Sequence, residues 1–185
     1  KSAPKLPPLR LESVTVEGTG EPVRLLKTTP SGTEFVLVGL PDGAKAKTFD
    51  LNRTGTALEF LTFDDVAKAE PALFASTPVT TYTTRDGVIL TVRTAHKDGK
   101  AWLSFDARFD PELAAKTPRE GDPAKDLLSA EDAEKEAKSL HEQYSGWAYQ
   151  VSDYTAGSFT PKREALFELP AKPAAAAATP VPPPP

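Results

Sequence analysis

The side chains able to do chemistry are few and scattered. His96 and His141 are the only histidines, and 45 residues separate them. His96 precedes a hairpin turn. His141 lies near a helix end, where a cation suits the dipole. There is no cysteine, so thiolate zinc, iron–sulfur and thiol chemistry are excluded. A metal would then need carboxylates, and no H-x-x-x-H spacing is present. Asp64-Asp65 has neither the alternating oxygen donors nor the glycine of a calcium loop, and it reads as a solvated turn. Ser31, Ser104, Ser129 and Ser145 all lack the G-x-S-x-G frame of a nucleophile elbow. The glycines form no phosphate-binding loop, and Gly18-Thr19-Gly20 reads as a turn. No catalytic, cofactor or metal site is expected.

Aromatic residues are the remaining candidates. Trp102, Trp147 and Tyr149 are read as a possible interaction surface, with Tyr154 nearby, because aromatics are enriched at interface centres. Trp102 points to the face opposite Leu103 and Phe105. It is therefore either exposed or covered by the second helix.

The elements that must position these residues alternate in type. Leu11 to Val16, Val23 to Lys27 and Phe35 to Val38 read as a three-stranded meander, with Thr29-Pro30-Ser31-Gly32 as a turn. A helix is expected over Leu51 to Leu61, with Asp50 as N-cap and Gly55 weakening it by about 1 kcal/mol against alanine. Phe63-Asp64-Asp65-Val66 reads as a turn into irregular structure. Val79 to Thr84, Val88 to Ala95 and Ala101 to Phe109 form the second meander. Its turns are Asp86-Gly87 and Asp98-Gly99, where both residues can take positive φ. Leu103, Phe105, Ala107 and Phe109 share one face. Thr91, Arg93, Ser104, Asp106 and Arg108 share the other, so one face is covered.

Residues 110–128 read as a loop. A helix follows, capped by Ser129 with Asp132 three positions on and stopped at Gly146. Glu131–Lys135 and Glu134–Lys138 pair along it. Trp147 to Val151 is a last strand, and a short helix is expected from Thr160-Pro161. The order βββα, βββα, β gives an α+β fold of antiparallel meander sheets with helices on one face, and a duplicated βββα unit as a hypothesis. Residues 1–9 read as a leader. Residues 10–168 read as the domain, with possible halves 10–70 and 78–168. Residues 169–185, rich in proline and alanine, read as an extended spacer.

Composition bounds the partners. The net charge is −4, and residues 111–143 hold the whole excess, with nine acids against five bases. No basic surface is offered to nucleic-acid phosphates. The best apolar run, Phe35 to Leu40, is far short of the roughly 20 residues of a membrane span. The chain contains no methionine and opens Lys1-Ser2-Ala3-Pro4, which reads as a processed product or a fragment.

Several stretches resemble the C-terminal unit of domain of unknown function 4340. They are Arg85-Asp86-Gly87-Val88-Ile89-Leu90, Asp98-Gly99-Lys100-Ala101-Trp102, Ala133 to Leu140, and Gly146-Trp147-Ala148-Tyr149-Gln150-Val151. The run from Leu51-Asn52-Arg53 to Asp64-Asp65-Val66 is similar to the same family's leucine-rich helix followed by Asp-Val. The resemblance spans most of residues 10–168. It implies a bacterial protein held by an upstream inner-membrane helix, with its domains in the periplasm, and often encoded beside gliding-motility-type ABC transporter components. It carries no catalytic residues. The expected function is that of a non-enzymatic accessory or interaction module, with an envelope or ABC-transporter protein as partner. Its membrane contact would come only through an anchor outside this chain. A small-ligand domain for peptide, glycan or lipid is the alternative. A carboxylate-dependent hydrolase is the remaining one, and no acid pair stands out for it.

Overall fold

A computed structural model of the chain describes residues 2–121 and 124–171. Eight strands form one antiparallel sheet: β1 (Leu11–Glu17), β2 (Val23–Lys27), β3 (Phe35–Leu37), β5 (Asp65–Lys68), β6 (Val79–Thr84), β7 (Val88–Lys97), β8 (Lys100–Phe109) and β9 (Trp147–Val151). Their spatial order is β3-β2-β1-β6-β7-β8-β9-β5. Two short strands, β4 (Lys45–Ala46) and β10 (Phe167–Glu168), pair separately. The helices are α1 (Thr48–Gly55), α2 (Pro71–Phe74), α3 (Pro111–Lys116), α4 (Ala130–Tyr144) and α5 (Asp153–Phe159). The α+β class with antiparallel meanders is what the alternating side chains predict.

Both meanders are present, β1-β2-β3 and β6-β7-β8, each followed by a helix. They join edge to edge where β1 pairs with β6, Val14 opposite Tyr82. After α4 the chain returns as β9 beside β8. The strand in the same position of the first half, β5, does not return beside β3. It crosses to the far edge and pairs with β9, Val66 opposite Tyr149. The halves 10–70 and 78–168 therefore share one sheet and exchange a strand.

The pleat puts Val14, Val16, Leu25, Tyr82, Leu90, Val92, Leu103 and Tyr149 on one face, all at or near zero exposure. α1, α4 and α5 cover that face, contributing Leu51, Ala133, Ala137, Ala156 and Phe159. The opposite face carries Thr91, Arg93, Ser104, Asp106 and Arg108, partly or fully exposed. One short helix, α2, sits there, with Phe74 packed on Ala95, Ala148 and Trp102.

Several local expectations need correction. Residues 1–9 are not a free leader: Pro4 and Leu6 are buried, and Ser2 accepts a hydrogen bond from Tyr144. α1 begins at Thr48 and stops at Gly55, so Asp50 lies in its first turn rather than at its cap. Leu58 and Leu61 still reach the core, from the turns that follow. Residues 63–66 lead into strand β5 rather than irregular structure. The 110–128 loop contains α3, capped by Asp110, whose Oδ1 accepts from the Glu112 and Leu113 amides. The short helix expected from Thr160-Pro161 is a single 3-10 turn, Arg163–Leu166, and it is preceded by α5, which the sequence reading did not include and which ends at Phe159.

α4 matches its reading closely. Ser129 Oγ accepts from the Asp132 amide, and Glu131 pairs with Lys135 at 2.6 Å. Lys138 is the exception: it leans toward Glu142, four residues on, rather than pairing with Glu134 as expected. Of the expected spacer 169–185, residues 172–185 lie outside the described residues.

Candidate functional site: an aromatic groove between α1 and α5

α1 and α5 lie side by side on the covered face of the sheet. Each buries one stripe and presents the other outward. Leu51 and Thr54 face inward on α1, and Ala156 and Phe159 on α5. Phe49, Asn52 and Arg53 are left outside on α1, as are Tyr154 and Thr155 on the groove side of α5, with the buried Ser158 at the groove's floor. Together with Phe60 they enclose a groove of about 410 Å³.

Burying an apolar ring is worth about 1.5–3 kcal/mol, yet three rings here forgo it. Phe49 is 75 % exposed, Phe60 79 % and Tyr154 68 %. One exposed apolar side chain is ordinary. Several on one concave surface mark a place where something else binds.

The groove is braced from below and across. Arg53 Nε donates to Ser158 Oγ at 2.9 Å and Nη2 to the Tyr154 carbonyl at 2.8 Å. Its guanidinium lies 4.3 Å from the centre of the Tyr154 ring, a cation–π contact. Asn52 Oδ1 accepts from the Phe35 amide. The Tyr82 hydroxyl donates to the Thr54 carbonyl, and Thr80 Oγ1 to the Phe159 carbonyl. Ser152 caps α5 by accepting from the Thr155 amide. Both helices are thereby pinned to the sheet.

The aromatics singled out by sequence do not meet. Tyr149 is fully buried, and its ring stacks among Phe63, Phe105 and Tyr144. Trp147 lies on the same face, partly buried against that core. Trp102 lies on the opposite face, and the helix covering it is α2, not α4. The three make no common surface. Tyr154 alone, among the aromatics named from sequence, belongs to the groove. Phe49 and Phe60 were not singled out by the sequence reading. The available signal was their position, off the stripe of Leu51, Leu58 and Leu61.

The histidines stay apart. His141 Nδ1 lies 2.6 Å from Asp106 Oδ1, with both side chains more than half exposed. His96 Nε2 is 3.7 Å from Asp153, again in solvent. Such pairs are water-screened and contribute little. Ser104 and Ser145 line, with His141, a separate open pocket beside α2. Ser129 caps α4, Ser31 sits in a turn, and Asp64 and Asp65 approach and open strand β5. No group of three or more His, Asp and Glu side chains suited to a metal occurs among the described residues.

One polar cluster is deeply buried. Arg10 Nε and Nη2 reach Asp86 at 2.7 and 3.1 Å, and Nη1 and Nη2 reach Glu136 at 3.0 and 2.6 Å. Asp86 also accepts from Thr84 Oγ1 and the Leu128 amide. Burial disfavours the Asp86 charge, but the bonds from Arg10, Thr84 and Leu128 outweigh it and hold the carboxyl below the usual range. Asp86 is thus a structural anchor, not a simple turn residue. Gly87 alone in that turn has positive φ, whereas Asp98 and Gly99 both do. Among the described residues the cluster is a clasp joining the segment before β1, the β6–β7 turn and α4.

No protein-family model, no curated protein and no solved structure matches this chain.

Proposed function

We propose that this chain is a non-enzymatic interaction module of a bacterial envelope protein, and that it recognises its partner through the α1–α5 groove. The single observation behind this is the convergence of Phe49, Phe60 and Tyr154, each more than two-thirds exposed, around one braced concave surface. Desolvating such rings against a partner supplies the central contact of a typical interface. The two histidine–aspartate pairs lie in open water, and the buried ionic cluster is saturated by structural partners. Both arrangements favour binding over catalysis.

The extracytoplasmic setting, the upstream inner-membrane anchor and the ABC-transporter partner rest on the resemblance to domain of unknown function 4340. Affinity purification of the protein from its native envelope tests the reading. The native sequence should retain transporter subunits. A Phe49→Ala, Phe60→Ala, Tyr154→Ala variant should lose them while melting at the same temperature. Recovery of no transporter subunit overturns the partner. Undiminished recovery by the triple variant overturns the surface.

A further inference from the structure

We infer that the open pocket between α2 and the end of α4 binds a free amino acid with an apolar side chain, its carboxylate on Arg93 and its ammonium toward Asp106. The site lies on the face of the sheet opposite the α1–α5 groove and stands independently of it.

Arg93 stands on the open face of β7, half-buried, and lines a pocket of about 450 Å³. Among the described residues no hydrogen bond or ion pair engages its side chain. A guanidinium stays charged and carries five N–H donors in a fixed fork. The other arginines that are not fully exposed do have acceptors. Arg10 donates to Asp86 and Glu136, Arg53 to Ser158 and Tyr154, Arg85 to the Leu9 carbonyl and Arg163 to the Val38 carbonyl. A planar fork left without acceptors in a concavity fits a carboxylate, which takes two parallel bonds from it. Two hydroxyl side chains stand beside it in the same pocket. Ser104 is directly opposite Arg93 on β8, and Thr91 is two residues back on β7.

Asp106 supplies the second pole. It lies opposite Thr91, and so diagonal to Arg93 across the β7–β8 pair, where such neighbours are about 7–8 Å apart. No ion pair joins the two among the described residues. Asp106 Oδ1 instead accepts from His141 Nδ1 at 2.6 Å and from the Ala107 amide at 2.9 Å. Its Oδ2 has no partner among the described residues. Ser145 and Gly146, at the end of α4, form the adjoining wall, and a helix C-terminus favours a cation. Such ground disfavours a second negative charge on the ligand and favours an ammonium. With the two poles one diagonal apart, the ligand's opposite charges sit on one carbon, as in an α-amino acid. The remaining wall is apolar, Pro71 and Phe74 of α2 flanked by Ala69 and Ala75, and it faces the ligand's side chain. A concavity of this size with a few convergent polar groups suits a small ligand.

Amide chemical shifts of the isotope-labelled full chain, titrated with L-leucine, test this. Thr91, Arg93, Ser104 and Gly146 should shift with submillimolar affinity, while Asn52 and Thr155 of the α1–α5 groove stay still. Leucinamide lacks the carboxylate and should bind at least about tenfold more weakly. Isocaproate lacks the ammonium and should lose only about two- to fivefold, because Asp106 is largely in water. Arg93→Ala should lower leucine affinity at least about tenfold at an unchanged melting temperature, and Arg93→Lys, which keeps the charge but not the fork, should recover only part of it. Asp106→Asn should bring leucine down to the affinity of isocaproate. Still amides at millimolar leucine overturn the proposal, as does native affinity in Arg93→Ala. Leucinamide binding as tightly as leucine overturns it by removing the carboxylate from Arg93. Isocaproate binding as tightly as leucine overturns the amino-acid assignment, because the site then reads an anion alone. The ligand comparisons use the native chain and decide the matter even where a variant fails to fold.

Discussion

Arg10 and Asp86 face each other across 76 residues of sequence, Nε to Oδ2 at 2.7 Å, each at most 5 % exposed. The pair ties three parts of the fold together. Arg10 closes the N-terminal segment just before β1, and Asp86 sits in the β6–β7 turn. Glu136 on α4 takes the other side of the guanidinium. The Leu128 amide adds the approach to α4.

Removing Asp86 takes the fully buried carboxylate from Arg10 and the acceptor from the Leu128 amide, leaving the buried guanidinium to the partly exposed Glu136. Asp86→Ala should therefore destabilise by about 3–5 kcal/mol, as breaking buried pairs does. Glu136 is 29 % exposed at its side chain, and water can replace it. Glu136→Gln should lower the urea midpoint far less. Equal losses in the two variants would mean that the clasp is not centred on Asp86.

The same carboxylate sets an acid limb of stability. Its folded-state affinity for protons is lowered by Arg10, Thr84 and Leu128 against the opposing effect of burial. Well above the ordinary carboxylate range, both states are ionised and the stabilisation is whole. As pH falls through about 4, the unfolded chain protonates first. Unfolding then takes up protons and stability drops, with the loss complete once the folded carboxyl also protonates. Urea midpoints measured from pH 6 to 2 should show this fall, and Asp86→Asn should flatten it. An equally steep fall in Asp86→Asn would assign the limb to other carboxylates.

The parts of this fold legible in sequence are those where a local pattern agrees with a local cause. The second meander shows itself through alternation and Asp-Gly turns. α4 shows itself through Ser129, its alanine stripe and Gly146. β5 was not legible because the two apolar residues of Asp65-Val66-Ala67-Lys68 are adjacent and cannot alternate, and its pairing with β9 is wholly non-local. α2 is four residues long, too short for a period. The groove was hidden for a related reason. Phe49 and Phe60 lie off the stripe of Leu51, Leu58 and Leu61, but that they share one concave surface with Tyr154 depends on the packing of α1 beside α5, which is non-local.

α1 packs against β3 where Gly55 meets Phe35. A Cβ at residue 55 would lie 2.3 Å from Phe35 Cε2, and the ring, 2 % exposed, has nowhere to retreat. Propensity alone says that Gly55→Ala gains about 1 kcal/mol. Overpacking a closed core costs about 1–3 kcal/mol, so the substitution should lower the melting temperature. Adding Phe35→Leu should recover part of the loss. A stabilised Gly55→Ala variant would show that Phe35 can move.

Tyr149 offers the opposite case, a native side chain with a group the core does not use. Its ring is fully buried among Phe63, Phe105 and Tyr144, and its hydroxyl has no hydrogen-bond partner among the described residues. Burial accordingly raises its pKa, and the nearby Tyr144 adds to the shift. An unsatisfied buried hydroxyl costs about 1–3 kcal/mol in desolvation, while the ring supplies the packing. Tyr149→Phe keeps the ring and deletes the cost. The variant should melt at or above the native temperature and leave partner binding intact. Tyr149→Ala, which deletes the ring, should destabilise by about 3–5 kcal/mol by analogy with other large core truncations. A Tyr149→Phe variant that melts lower would show that the hydroxyl is bonded, and the packing-only account of this residue would fail.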